Sequence, residues 1–164
     1  MGNDDTTIPV VFVFDKGYAP YAAVAIFSVL MHVRHRCRIY CVVLGDALAE
    51  AQAIQARMAM FAAEIVLVPV AQAVFFRWRT VDYVSSATYG KLAIPELIDE
   101  RRVIYLDCDL VVTCDVLTLL RQDMGPHPLA GCIDRIGGQS SAIPRAPTDH
   151  YLNAGATKRL AAVF

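Results

Sequence analysis

Apolar residues fall along the chain in short blocks, separated by one or two polar or glycine positions. Ile8 to Phe14 is β-branched and aromatic, which predicts a first strand closed by the turn Asp15-Lys16-Gly17. Ala19 to His32 follows as a helix, with Pro20 tolerated in its first turn. Ile39 to Leu44 is a second strand ended by Gly45-Asp46, and Asp46 is placed to cap an Ala- and Gln-rich helix from Ala47 to about Met60. Glu64 to Val70 completes a strand-helix-strand-helix-strand alternation. This order implies a parallel sheet with right-handed crossovers, helices on both faces and the first strand inside.

Beyond Val70 the pattern loosens. Phe75 to Ser86 has no period and reads as irregular. Ala87 to Ile98 reads as a helix despite Gly90 and Pro95, and Val116 to Arg121 as a helical turn. Pro128 to Asp134 reads as a short strand, and the Gly-, Ser- and Pro-rich run from Gly137 to Asp149 as a loop. The sharpest feature is Val103-Ile104-Tyr105-Leu106-Asp107-Cys108-Asp109-Leu110-Val111-Val112, an apolar run broken by two carboxylates. Val103 to Leu106 predicts a buried strand. On an extended backbone Asp107 and Asp109 share a side and Cys108 faces the other.

Two carboxylates aimed together repel unless a divalent cation or a polar ligand lies between them. One chemistry that fits is a metal bridge to a nucleotide diphosphate. Another is a phosphatase-type site with Asp107 as nucleophile and Asp109 as general acid. Asp15 and Asp134 also end expected strands, so three carboxylates can share one rim of a parallel sheet, where such folds bind ligands. Taken singly, Asp15 and Asp134 read more simply as turn residues. Tyr18 and Tyr21 offer rings to stack on a base, or merely pack the start of a helix. Lys91 can neutralise a phosphate or fix a sugar hydroxyl, or can be a solvated lysine. Asn153, beside Ala154 and Gly155, permits close approach to a ligand.

Composition removes several classes. With 164 residues, 56% hydrophobic and 19% charged, the chain is long enough for a real core and richer in apolar residues than most soluble domains. A net charge of -1 without a basic block gives no reason to expect nucleic acid. Five cysteines without a Cys-X-X-Cys pair argue against a disulfide framework or zinc knuckle and for buried thiols in a reducing compartment. The start Gly2-Asn3-Asp4-Asp5 lacks the positive charge of a signal peptide. Tyr18 to Val33 is shorter than the ~20 residues that span a bilayer, and Ser28 and His32 interrupt it. It reads as a core helix, while a mean hydropathy of +0.43 leaves a peripheral membrane contact open.

Four segments together are far more specific than any one: Val11-Phe12-Val13-Phe14-Asp15-Lys16-Gly17-Tyr18-Ala19-Pro20-Tyr21, Ser86-Ala87-Thr88-Tyr89-Gly90-Lys91-Leu92, Val103 to Asp109, and Tyr151-Leu152-Asn153-Ala154-Gly155. In this order they resemble the family 8 glycosyltransferases, retaining enzymes of the lipopolysaccharide galactosyl- and glucosyltransferase kind. The resemblance implies an α/β fold, a Rossmann-like nucleotide-diphospho-sugar domain of the GT-A type, spanning residues 1–164. It further implies a Mn2+ or Mg2+ cofactor, a UDP-galactose or UDP-glucose donor, and a glycan or glycolipid acceptor. The expected setting is the cytoplasm, with peripheral contact at the inner membrane face left open.

By position, the resemblance makes Asp107 and Asp109 the metal ligands and ties Asp107 and Cys108 to the nucleotide. Asp15 and Tyr18 become uracil contacts, and Lys91, Asp134 and Asn153 donor-sugar contacts. Asp134 and Asn153 are the expected catalytic pair. Two positions depart from the family: Gly17 replaces a polar side chain, and Ala156-Thr157-Lys158-Arg159-Leu160 interrupts an aliphatic strand. The family's second half has no counterpart, which predicts a truncated or frame-shifted coding sequence or a fragment, with little or no sugar transfer of its own. Two alternatives are a remnant that binds UDP and metal without catalysis, and a haloacid-dehalogenase-like phosphatase built on Asp107.

Overall fold

The computed structural model describes residues 7–71, 86–131 and 161–162, with backbone alone for 86–89 and 161–162. Its elements in order are β1 (Ile8–Phe14), α1 (Ala19–His32), β2 (Cys37–Leu44), α2 (Leu48–Met58), β3 (Ala63–Val70), a 3-10 helix (Ser86–Ala93), α3 (Ile94–Leu97), β4 (Ile104–Tyr105), α4 (Leu117–Leu120) and β5 (Ala161–Ala162). The strands form one sheet in the order β3-β2-β1-β4-β5. Every pairing is parallel, as the strand-helix alternation requires.

All seven residues of β1 are buried, because both faces of this central strand are covered. Ile8, Val10, Phe12 and Phe14 pack with Cys37, Ile39, Cys41 and Val43 of β2 under α1 and α2. Val11 and Val13 join Val42, Leu44, Ile94, Ile98 and Tyr105 on the opposite face. Helices therefore lie on both faces, and strand alternation sorts the side chains between two cores. No helix among the described residues is long and apolar enough to cross a membrane.

The first three strands and two helices follow the hydrophobic pattern closely. Asp46 is a correction: Ala47 is the N-cap of α2, without a side-chain cap bond. The Asp46 carboxylate instead lies 3.8 Å from Lys16 Nζ, which also meets Glu50 at 3.4 Å. Gly45, with φ of 65°, adopts the left-handed backbone that glycine accepts most readily, and its N–H donates to Val70 O.

The expected helix from Ala87 to Ile98 is a 3-10 run followed by the short α3. Pro95 has no N–H, and its ring would crowd the carbonyl four residues back, so a continuous α-helix cannot pass through it. Gly90 is pressed against the sheet. A Cβ there would come within 2.6 Å of Val13 Cγ1, too close for any side chain without movement of the strand. The strand expected over Val103–Leu106 is paired only at Ile104 and Tyr105. The strand expected over Pro128–Asp134 is absent over 128–131, and its remainder lies outside the described residues. So do Phe75 to 85 and the loop from Gly137 to Asp149. Past the interruption at Ala156–Leu160, Ala161 and Ala162 pair with β4 as β5, an element the hydrophobic pattern did not reveal.

Candidate functional site

The site is built where β1 and β4 end side by side. Phe14, the last residue of β1, is buried, and Asp15 emerges half-buried at the carboxyl rim. Its Oδ1 accepts the Tyr18 N–H at 3.1 Å, and its carbonyl oxygen takes the same N–H at 3.2 Å. This turn seats the start of α1, with Tyr18 as N-cap. Tyr18 is exposed, and its ring lies 5.8 Å from that of Tyr21. A Cβ on Gly17 would stand 3.4 Å from Asp15 Oδ1, an ordinary contact, so packing does not demand glycine there.

β4 runs alongside in register, Val10 with Ile104 and Val11 with Tyr105. Leu106 N–H donates to Val11 O at 3.1 Å, and the chain then turns at Cys108–Asp109. The two aspartates therefore do not sit on one extended segment. Asp107 is on the Tyr105 face because Tyr105 OH donates to Asp107 Oδ1 at 2.5 Å. Asp109 is exposed. The Cys108 side chain is turned into the core under α1, where its thiol donates to Val13 O at 3.4 Å. The Cys108 sulfur, which the resemblance ties to the nucleotide, is therefore turned away from the rim.

Burial, first, pushes the Cys108 thiol up to about 12, and Asp107, Cys41, Asp109 and Asp15 add to the effect. Asp15 follows β1, and Asp107 and Asp109 follow the neighbouring parallel strand β4, which puts all three on the carboxyl-end side of the sheet. The Tyr105 phenol is also pushed up, by burial first and then by its bond to Asp107. Lys91 Nζ stands 5.6 Å from the centre of the Tyr105 ring, the ring whose hydroxyl is bonded to Asp107. Asp134 and Asn153 lie outside the described residues.

Two residues that the apolar pattern concealed matter here. Tyr105 reads as a strand core residue; the clue is a phenol two positions before Asp107, hence on the same face. Ser28 reads as an interruption of an apolar helix. Its buried Oγ donates to Ala25 O at 2.7 Å and accepts the Val112 N–H at 2.8 Å, pinning the chain after the aspartates to α1. The clue was a hydroxyl on the inward face of α1, where it needs a partner.

The donor set suits a hard cation. Asp107 and Asp109 offer carboxylate oxygens, and the soft sulfur between them is turned away. Among the described residues no group of three or more His, Cys, Asp or Glu side chains is placed to hold a metal ion. Two carboxylates supply only part of the shell of a divalent cation.

The chain is similar to known proteins over most of its length. A Haemophilus influenzae relative with a provisional glycosyltransferase name is 28% identical over 130 residues, 78% of this chain and 39% of that protein. Glycosyltransferase GlyD of Streptococcus pneumoniae is 32% identical over 132 residues, 78% of this chain and 16% of that protein. Among solved structures, the galactosyltransferase LgtC, crystallised with donor and acceptor sugar analogues, superposes with a TM-score of 0.69 at 28% identity. That match covers 78% of this chain and 47% of LgtC. GlyE of Streptococcus pneumoniae superposes at 0.61 with 25% identity, covering 82% and 31%. The chain thus spans less than half the length of each of these relatives. The model of glycosyl transferase family 8 matches residues 9–157, and with its parallel sheet and aspartate turn the chain belongs to that family.

Proposed function

We propose that this chain forms the donor-binding part of a glycosyltransferase that uses a UDP-sugar, UDP-galactose or UDP-glucose, with Mn2+ or Mg2+. The sugar passes with retention to a glycan or glycolipid acceptor, in lipopolysaccharide or related synthesis. The observation that supports this reading is that Asp15, Asp107 and Asp109 follow the ends of the neighbouring parallel strands β1 and β4, with Tyr105 bonded to Asp107 and its ring facing Lys91, in a member of a glycosyltransferase family. LgtC, a galactosyltransferase with donor and acceptor sugar analogues bound, supports the choice of substrates.

Asp107 and Asp109 would hold the cation, and Asp15 and Tyr18 would receive the base at the start of α1. When bound, the cation would offset the charge that develops on the departing diphosphate. Lys91 adds a positive charge on the same side. Asp134 and Asn153 are assigned to the donor sugar, as the catalytic pair. A membrane contact is part of the proposal, because Tyr21, Val24 and Met31 leave an apolar strip exposed on α1. Family membership sets aside the phosphatase reading of Asp107.

The test is calorimetric titration of UDP with and without Mn2+. Manganese is expected to tighten UDP binding to the native chain. Asp109→Asn keeps the shape but removes one charge of the pair, so it should abolish at least tenfold of that gain, about 1.4 kcal/mol. Equal manganese-dependent affinity in the two proteins would place the cation elsewhere and defeat the reading. Transfer is read separately, as acceptor-dependent UDP release from UDP-galactose and UDP-glucose.

A further inference from the structure

We infer that Tyr105 is a positioning residue that sets Asp107 for the cation and nucleoside diphosphate, an inference that rests on the donor-site reading above. Asp107 stands two residues past the last paired position of β4, so the backbone ladder does not hold it. Its geometry comes from a side chain. Tyr105 is 5% exposed and packed among the apolar residues that include Val11, Val13, Ile94 and Ile98. That packing leaves its ring little freedom, so its hydroxyl is a fixed donor. It reaches along the strand to Asp107 Oδ1 at 2.5 Å. One carboxylate oxygen of Asp107 is thereby tied down.

The same ring has a second use. Its face lies 5.6 Å from Lys91 Nζ. One packed aromatic thus fixes a carboxylate through its hydroxyl and supports an ammonium on its face. A negative group for a cation and a positive group for a phosphate are set by a single rigid part. Partners of this kind, one step removed from the metal, typically change metal affinity by about 10–100-fold when lost.

Tyr105→Phe separates these roles. It keeps the ring, its packing and the support of Lys91, and removes only the hydroxyl. The expected result is about a tenfold or greater loss of manganese-dependent UDP affinity by calorimetry, with metal-free UDP affinity and the thermal midpoint near those of the native chain. Manganese titrated into the UDP-loaded protein and followed by electron paramagnetic resonance should show the same weakening without any turnover. A native manganese gain in Tyr105→Phe overturns the inference, as does an equal loss with and without metal accompanied by a lower thermal midpoint, which marks a packing role. Asp107→Asn distinguishes the levels. If it abolishes the gain while Tyr105→Phe does not, only this inference fails. If the native chain has no manganese gain, the donor-site reading falls and takes this inference with it.

Discussion

The two flanks of the sheet, divided by β1, are built differently. On one side β2 and β3 are eight residues each and pair at every position from Cys37 with Ala63 to Leu44 with Val70. On the other side, among the described residues, β4 and β5 pair at Ile104 with Ala161 and Tyr105 with Ala162. The long flank is held by an eight-position backbone ladder and apolar burial, with Arg38 bonded to Glu64 at 2.7 Å along its partly exposed face. The short flank is held by side chains: Ser28 Oγ on the Val112 N–H, Tyr105 OH on Asp107, and Arg102 Nη1 on Leu120 O at 2.7 Å and Gln122 O at 2.9 Å. The early end of β4 frees the backbone to turn at Cys108–Asp109 and deliver both aspartates to the rim. A longer ladder would have bound that backbone to β1. The long ladder and the candidate site are thus divided across one strand, with β1 bordering both.

The largest expected effect comes from attacking that shared strand. Phe12 is fully buried, and Phe12→Ala should cost about 3–5 kcal/mol in denaturant unfolding. Because both flanks lean on β1, the loss should appear as one cooperative transition. Two separated transitions, with only one shifted, would show that the flanks unfold independently.

Ser28→Ala attacks the joint on the site side. It leaves the buried Val112 N–H without its acceptor, at a cost of about 1–3 kcal/mol. Amide exchange at Val112 should accelerate while that of Val42 on β2 keeps pace only with global unfolding. Equal acceleration at both positions would erase the distinction between the flanks.

The smallest effect sharpens the comparison through thiols. Cys37 and Cys41 lie on the long flank and Cys108 at the site, and burial pushes each up to about 12 from 9.0. All three are therefore protonated at pH 8 and react only when exposed by opening. In a Cys132→Ser background, exposed Cys114 should react with a thiol reagent at once, Cys108 next, and Cys37 and Cys41 last. Simultaneous reaction of Cys108 with Cys37 and Cys41 would mean that the short flank opens no more readily. The linkage has a definite sign. The folded values lie above the unfolded one, so these thiols contribute fully below about pH 9. That stability is lost as pH rises from there toward about 12.

Much of this was legible in the chain itself. The boundaries of α1, Ala19 and His32, and most of β1, β2, α2 and β3 follow from apolar periodicity, because burial of a strand or helix face imposes a local period. The parallel order follows from the alternation of elements, and the family follows from four separated segments that no single motif would have secured. The pair Asp107 and Asp109 stood out because carboxylates seldom interrupt so apolar a run.

What the tertiary structure alone decided are the contacts between distant parts. The 3-10 course of Ser86–Ala93 goes with Gly90 pressed on Val13, a clash invisible without the strand beneath it. The meeting of Lys91 with Tyr105, and of Ser28 with Val112, joins residues 14 and 84 positions apart. β4 stops after Tyr105, and Asp107 then takes its direction from a phenol. Periodicity reports which face of an element is buried, but not which polar atom on another element comes within hydrogen-bond reach. That depends on ångström-scale packing of the whole sheet, and it is what turns two aspartates in an apolar run into a candidate site.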